Sequence, residues 1–103
     1  MVAKRSIGLI SAIAEETAIL RARLEAGAAE THAGVRFQPG RLDGLSVVLV
    51  ETGIGKVNAA LVATVLAERF GVGALLFSGV AGGLDPSLGV GDVVLADRLI
   101  QHD

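Results

Sequence analysis

Cysteine, tyrosine and tryptophan are absent from this 103-residue chain, and proline occurs only twice. Without cysteine there is no disulfide, no thiolate nucleophile and no Cys-ligated metal. The aromatic residues are three phenylalanines, Phe37, Phe70 and Phe77. The core must therefore come from Val, Leu, Ile and Ala. Acids and bases are dispersed around a net charge of −2. With no basic stripe and no Tyr or Trp to stack on bases, nucleic-acid binding is disfavoured. No apolar run reaches the roughly 18 residues of a membrane span, so no membrane partner is expected. A cytoplasmic location is the expectation.

What is present suits one small folded unit over residues 1–103. Hydrophobic residues make up 51% and charged residues 19%, enough to build a core. Fourteen glycines point to tight turns or close backbone approach to a ligand.

The amino terminus has two readings. Lys4 and Arg5, an apolar stretch and Ala12-Ile13-Ala14 mimic a secretory signal. The apolar stretch of about eight residues is near the bottom of the range of roughly 7–15 for such signals. The competing reading is a buried strand over residues 6–12, which the rest of the chain supports.

Further along, 15–27 reads as a helix with Ile19, Leu20 and Leu24 at helical spacing and Gly27 as its stop. Residues 34–52 read as a hairpin turning at Asp43-Gly44, with Pro39 demoting its first arm to an edge or bulge. A second helix starts near Lys56 and ends at Gly71. It is apolar nearly all round, which predicts burial on two sides. Residues 73–80 read as a buried strand, 81–91 as a small-residue turn and 92–100 as a last strand. The order β-α-β-β-α-β-β implies a layered α/β fold.

Three loops carry the chemistry. "ETGIGK" fails as a P-loop, because Glu51 and Val57 stand where glycine and Ser or Thr are needed. It fails as a dinucleotide fingerprint, because Asn58 replaces the third glycine. A tight strand-to-helix turn is the simpler account. "SGVAGGLDP" either brings backbone N–H groups to a ligand or is an irregular loop needing positive φ. Glu15 and Glu16 open the first helix, where carboxylates interact with the helix dipole by roughly 0.3–1 kcal/mol each. That helix start also lies at the carboxyl end of a strand, where ligand crevices of open α/β sheets form. If the strands are parallel, residues 12–17, 52–56 and 78–85 converge there. His102-Asp103 is a very weak metal signal, His32 reads as a surface residue and Lys56 as a solvated residue.

"IGLISAIAEET", "ETGIGKVNAA" and "SGVAGGLDPSLGVGDVVLAD" together resemble the 5′-methylthioadenosine/S-adenosylhomocysteine nucleosidases, within the purine nucleoside phosphorylase superfamily. The resemblance runs from about Ile7 to Asp103. It implies a three-layer α/β/α fold with a mixed central sheet, of which only the amino-terminal half is present, truncated after the fifth or sixth strand. It implies hydrolysis of a purine nucleoside with release of adenine, no metal or organic cofactor, and a homodimer in the full-length protein. Glu16 matches the carboxylate that handles the nucleophilic water, leaving Glu15 a dipolar role. Ala12 and Ile13 match residues lining the nucleoside pocket, Ile54 an apolar contact to the 5′-alkylthio group, and Val80, Ala81 and Gly82 the loop past ribose and base.

Two departures stand out. Many family members carry Ser where this chain has Val80, and valine cannot donate a hydrogen bond. Family members are also longer, and the Glu gripping the ribose and the Asp protonating the purine have no counterpart in residues 1–103. The isolated chain is expected to be poorly soluble, oligomeric or dependent on a missing segment, with a mean hydropathy of +0.62. A nucleoside phosphorylase is an alternative, disfavoured because no Arg lies in the three loops. A truncated module that binds nucleoside or a partner without catalysis is another.

Overall fold

The structure is a computed structural model that describes residues 5–101. Six strands and two helices run in the order β1 (Ile7–Ser11), α1 (Ala14–Arg23), β2 (Glu25–Ala26), β3 (Glu30–His32), β4 (Val35–Leu42), β5 (Leu45–Glu51), α2 (Lys56–Glu68) and β6 (Ala74–Phe77). One mixed sheet has the order β2-β4-β5-β1-β6, with β3 also on the outer side of β4. β5, β1 and β6 are parallel, and β4 is antiparallel to β5. The apolar run at the amino terminus is thus the strand at the centre of the parallel part.

Alternation along β1 sorts its side chains between two helical layers. Ile10 packs with Phe37, Val48 and Val50 against Val62 and Leu66 of α2. A Cβ added at Gly8 would lie 2.9 Å from Leu66 Cδ1, so this glycine lets α2 press onto the sheet. The opposite face carries α1. There a Cβ at Gly40 would lie 2.6 Å from the Glu25 carbonyl oxygen and 2.9 Å from Leu24 Cγ. Helices on both faces give the expected three layers. Phe37 and Phe70 stack at 5.3 Å between ring centroids, and His32 sits edge-on to both at 5.7 Å. His32 is therefore half-buried and bonded to Glu30, not the surface residue expected.

The Asp43-Gly44 turn is as predicted. Both residues have positive φ (50° and 82°), the geometry of a type I′ hairpin. Ala33-Gly34 makes a second such turn, with φ of 52° and 78°.

Several expectations are corrected. The first helix ends at Arg23, because Leu24 turns to extended backbone (ψ 129°) and residues 25–26 pair with the outer edge of β4. Gly27 lies beyond that strand, donating its N–H to the Pro39 carbonyl at 2.9 Å. Pro39 does not make β4 an edge. β4 has neighbours on both sides, and its outer ones break opposite Pro39, with β3 pairing up to Phe37 and β2 from Gly40. α2 is buried on one side only, through Val62 and Leu66, while Val57 is 78% exposed. Among the described residues β6 pairs with β1 alone, and its side chains are exposed where the sequence predicts burial. Residues 92–100 form no strand. Leu95 is 90% exposed, and no ladder partner meets this segment among the described residues. A β-branched run alone does not make a strand, because the ladder needs a neighbour to bond. His102 and Asp103 lie outside the described residues.

Candidate active site

The carboxyl ends of β1, β5 and β6 lie side by side, and the three loops leave from that edge. Backbone bonds hold the exits together. Thr52 donates its N–H to the Ser11 carbonyl at 2.8 Å, and Ser78 donates to the Ile10 carbonyl at 2.9 Å.

Glu16 ties two of these loops through its side chain. Its Oε2 accepts the N–H of Ala12 at 2.9 Å and of Ile13 at 3.3 Å. Its Oε1 accepts the N–H of Val80 at 3.3 Å. The local sequence explains this arrangement. Ile13 occupies the N-cap position, and its apolar side chain accepts no hydrogen bond. Glu16, three residues on, reaches back to the amides of Ile13 itself and of Ala12, the reciprocal half of a capping box. Gly79 leaves room for the contact, since a Cβ there would lie 3.3 Å from Glu16 Oε1. Glu15, in the same turn, is exposed.

The second loop is built for sharp curvature. Gly53 and Gly55 have φ of 75° and 110°, a region L side chains rarely adopt. The Thr52 hydroxyl donates to the Gly53 carbonyl at 2.6 Å, and Asn58 Nδ2 donates to the Ile54 carbonyl at 2.9 Å. Asn58, which stands where a glycine fingerprint would need its third glycine, thus braces the loop. Ile54 stands out from it at 80% exposure. In the third loop Val80 is 87% exposed, and Ala81 and Gly82 are exposed beside it. Ala12, Ile13, Glu16 and Val80 are thus joined by hydrogen bonds. Ile54 is exposed on the loop after β5, and Ala81 and Gly82 are exposed on the loop after β6.

Asp85 is further along that third loop. The Ser87 N–H and hydroxyl both donate to its Oδ1, at 2.9 and 2.8 Å, and hold its carboxyl below the usual aspartate range. It is an ionised turn-former, unsuited to giving up a proton near neutral pH.

Sequence reasoning missed a cluster beside Glu16. Thr17 is fully buried and donates its hydroxyl to Glu51 Oε1 at 2.6 Å. Arg21 Nη2 donates to the same oxygen at 2.7 Å. The Thr17 hydrogen bond is the largest influence on the Glu51 pKa; burial opposes it, and the bond and charge of Arg21 add to it, so the pKa lies below its ordinary value. A cleft of about 490 Å³ opens on the outer side of this cluster, lined by Arg21, Arg36, Glu51 and Thr52 among others. A smaller apolar cavity of about 240 Å³ lies on the α1 face between Leu9, Leu20, Leu42 and Leu76. The buried Ser11 hydroxyl at its wall has no hydrogen-bond partner among the described residues.

The profile of the phosphorylase superfamily matches residues 6–103. This chain belongs to the phosphorylase superfamily. Its superfamily relatives include a 5′-methylthioadenosine/S-adenosylhomocysteine nucleosidase of Mycobacterium bovis, 50% identical over 98 residues, covering 95% of this chain and 38% of that protein. The nucleosidase of Geobacillus thermodenitrificans is 48% identical, over 92% of this chain and 40% of that protein. Among solved structures, the Colwellia psychrerythraea nucleosidase in complex with adenine superposes with a TM-score of 0.82 at 46% identity. That match covers 87% of this chain and 37% of the other. The chain therefore spans about two fifths of the length of these relatives.

Proposed function

We propose that this segment belongs to a nucleosidase that hydrolyses the N-glycosidic bond of 5′-methylthioadenosine or S-adenosylhomocysteine and releases adenine. The observation that carries the reading is the Glu16 carboxylate. It is held by three backbone N–H groups at the carboxyl edge of the parallel strands, between two loops open to a ligand. The nucleosidase relatives support the choice of substrate.

Glycosidic cleavage passes through an oxocarbenium-like state, with a base on the attacking water and an acid on the leaving group. Glu16 is the base. Amide donors fix its carboxylate in place, while a remaining lone pair takes the proton from water. Ala12, Ile13, Ile54, Val80, Ala81 and Gly82 line the nucleoside site, Ile54 against the 5′-alkylthio group. The Val80 side chain donates nothing to water, so backbone groups of residues 81 and 82 orient it. The purine acid and the ribose-gripping Glu come from outside residues 1–103, which form one partial α/β domain corresponding to the relatives' amino-terminal part. The complete protein is a cytoplasmic homodimer with a role in methionine salvage. Water is favoured over phosphate as nucleophile because no Arg lies in residues 12–17, 52–56 or 78–85.

The test is adenine release from methylthioadenosine, with and without inorganic phosphate. It compares the protein read through to its stop codon, its Glu16→Gln variant and the 103-residue chain. Phosphate-independent release by the longer protein alone, lost in Glu16→Gln, is the expected result. Phosphate-dependent release would make the protein a phosphorylase. Silence throughout would favour a non-catalytic binding module.

A further inference from the structure

Where α1 crosses the end of β5, one carboxylate oxygen gathers two donors from successive turns of the helix. The Thr17 hydroxyl and Arg21 Nη2 both reach Glu51 Oε1, at 2.6 and 2.7 Å. Thr17 has one proton to give, and the Ala14 carbonyl competes for it at 3.0 Å. The shorter distance and the charged acceptor favour Glu51. Glu51 is itself well placed in the sheet. It is the last residue of β5, in register with Ser11, the last residue of β1.

Glu16 and Thr17 are neighbours on the first turn of α1, so their side chains leave the helix about 100° apart. Fixing Thr17 against the sheet therefore fixes the direction in which Glu16 projects. Such an anchor is needed here. Ile13 cannot cap the helix with its side chain, and Glu16 would otherwise be the only side chain holding the first turn. A carboxylate that must accept a proton from water cannot be the sole restraint on its own backbone. Glu51 also leads directly into Thr52 and the Ile54 loop, so one anchor references both sides of the site.

We propose that Thr17, Glu51 and Arg21 form a positioning network that aims Glu16 at the water; this rests on the nucleosidase reading above. Thr17 and Glu51 are positioning residues and touch no substrate. Misplacing a reacting group by about 1 Å costs up to roughly a hundredfold in rate, so loss of the anchor has a kinetic signature.

The experiment uses the complete protein and the variants Thr17→Val, Thr17→Ser, Glu51→Gln and Glu16→Gln. Thr17→Val keeps the shape and removes the hydroxyl. It is expected to lower kcat about tenfold while KM stays within about twofold, and Thr17→Ser is expected to recover most of the loss. Glu51→Gln is expected to fall between wild type and Thr17→Val. Amide hydrogen exchange supplies a readout independent of turnover. The Ala12, Ile13 and Val80 amides should exchange faster in Thr17→Val, with the Val48 and Val50 amides unchanged. Wild-type kcat in Thr17→Val, equal loss in Thr17→Ser, or a uniform rise in exchange would each overturn the proposal. A Glu16→Gln protein with wild-type activity would overturn the nucleosidase role of Glu16 instead, and the exchange pattern would still decide whether the anchor holds that turn.

Discussion

Glu16 and Val80 are 64 residues apart in the chain, yet Glu16 Oε1 lies 3.3 Å from the Val80 amide nitrogen. The same side chain caps its own helix through Ala12 and Ile13. The structural role and the proposed catalytic one thus fall on one carboxylate, and substitution separates them.

Glu16→Gln keeps one oxygen acceptor and loses the negative charge. The expected fall in adenine release by the complete protein is about 10²–10⁴-fold, the usual contribution of a general base. The expected cost in stability is about 1 kcal/mol, the size of a weakened cap, read by urea denaturation. A large stability loss with little change in rate would make Glu16 a cap alone.

Gly40→Ala tests the packing of α1 on the sheet. The new methyl would meet the Glu25 backbone carbonyl oxygen at 2.6 Å, and backbone cannot swing aside as a side chain can. The expected destabilisation is about 1–3 kcal/mol, with β2 displaced from β4. A denaturation midpoint equal to wild type would contradict the contact.

Glu51 sets a pH dependence. Its folded pKa lies below its ordinary value because Thr17, and then Arg21, hydrogen-bond to the ionised form. A depressed pKa adds stability that is fully present above the unfolded value, about 4.3, and is lost as pH falls through the folded one. The stability gap between wild type and Glu51→Gln should be constant above about pH 5 and shrink below about pH 4. Urea denaturation across that range checks it, and a gap that widens on acidification would reverse the assignment.

The isolated 103-residue chain is expected to self-associate. β6 has no second neighbour among the described residues, and Leu75, Leu76 and Phe77 are exposed around it. An open apolar edge is a template for pairing. Sedimentation velocity should show oligomers at micromolar concentration, reduced by Leu76→Lys. A monodisperse, cooperatively melting monomer would contradict the expectation.

Much of this fold is legible in local sequence because the forces involved are local. "IGLIS" and "LSVVLVE" read as strands from their apolar, β-branched runs, and Asp43-Gly44 reads as a hairpin turn from its tolerance of positive φ. The start of α2 after Gly55 is likewise written in the chain. What is not legible depends on partners distant in sequence. Residues 25–26 and 30–32 become short strands only because β4 offers an outer edge, while 92–100, richer in strand formers, find no neighbour among the described residues. The convergence of the Glu16 and Val80 loops follows from parallel strands. The bond from Thr17 to Glu51 follows from where α1 crosses β5, which no spacing in either segment announces.

The position of β1 also governs the order in which this sheet can assemble. β1 precedes both of its neighbours in the chain, and both are distant. Ile7 pairs with Val47 on one side and Ala74 on the other. The β4-β5 hairpin closes through the two-residue Asp43-Gly44 turn and can form as soon as it is made. β1 must remain unpaired until then, and its second edge stays open until residues 74–77 arrive. The loops around Glu16 share that schedule, since the Val80 amide is the last part of the clamp to be synthesised. The site is therefore one of the last features of this segment to form, although its central carboxylate is made 64 residues before the amide that completes the clamp.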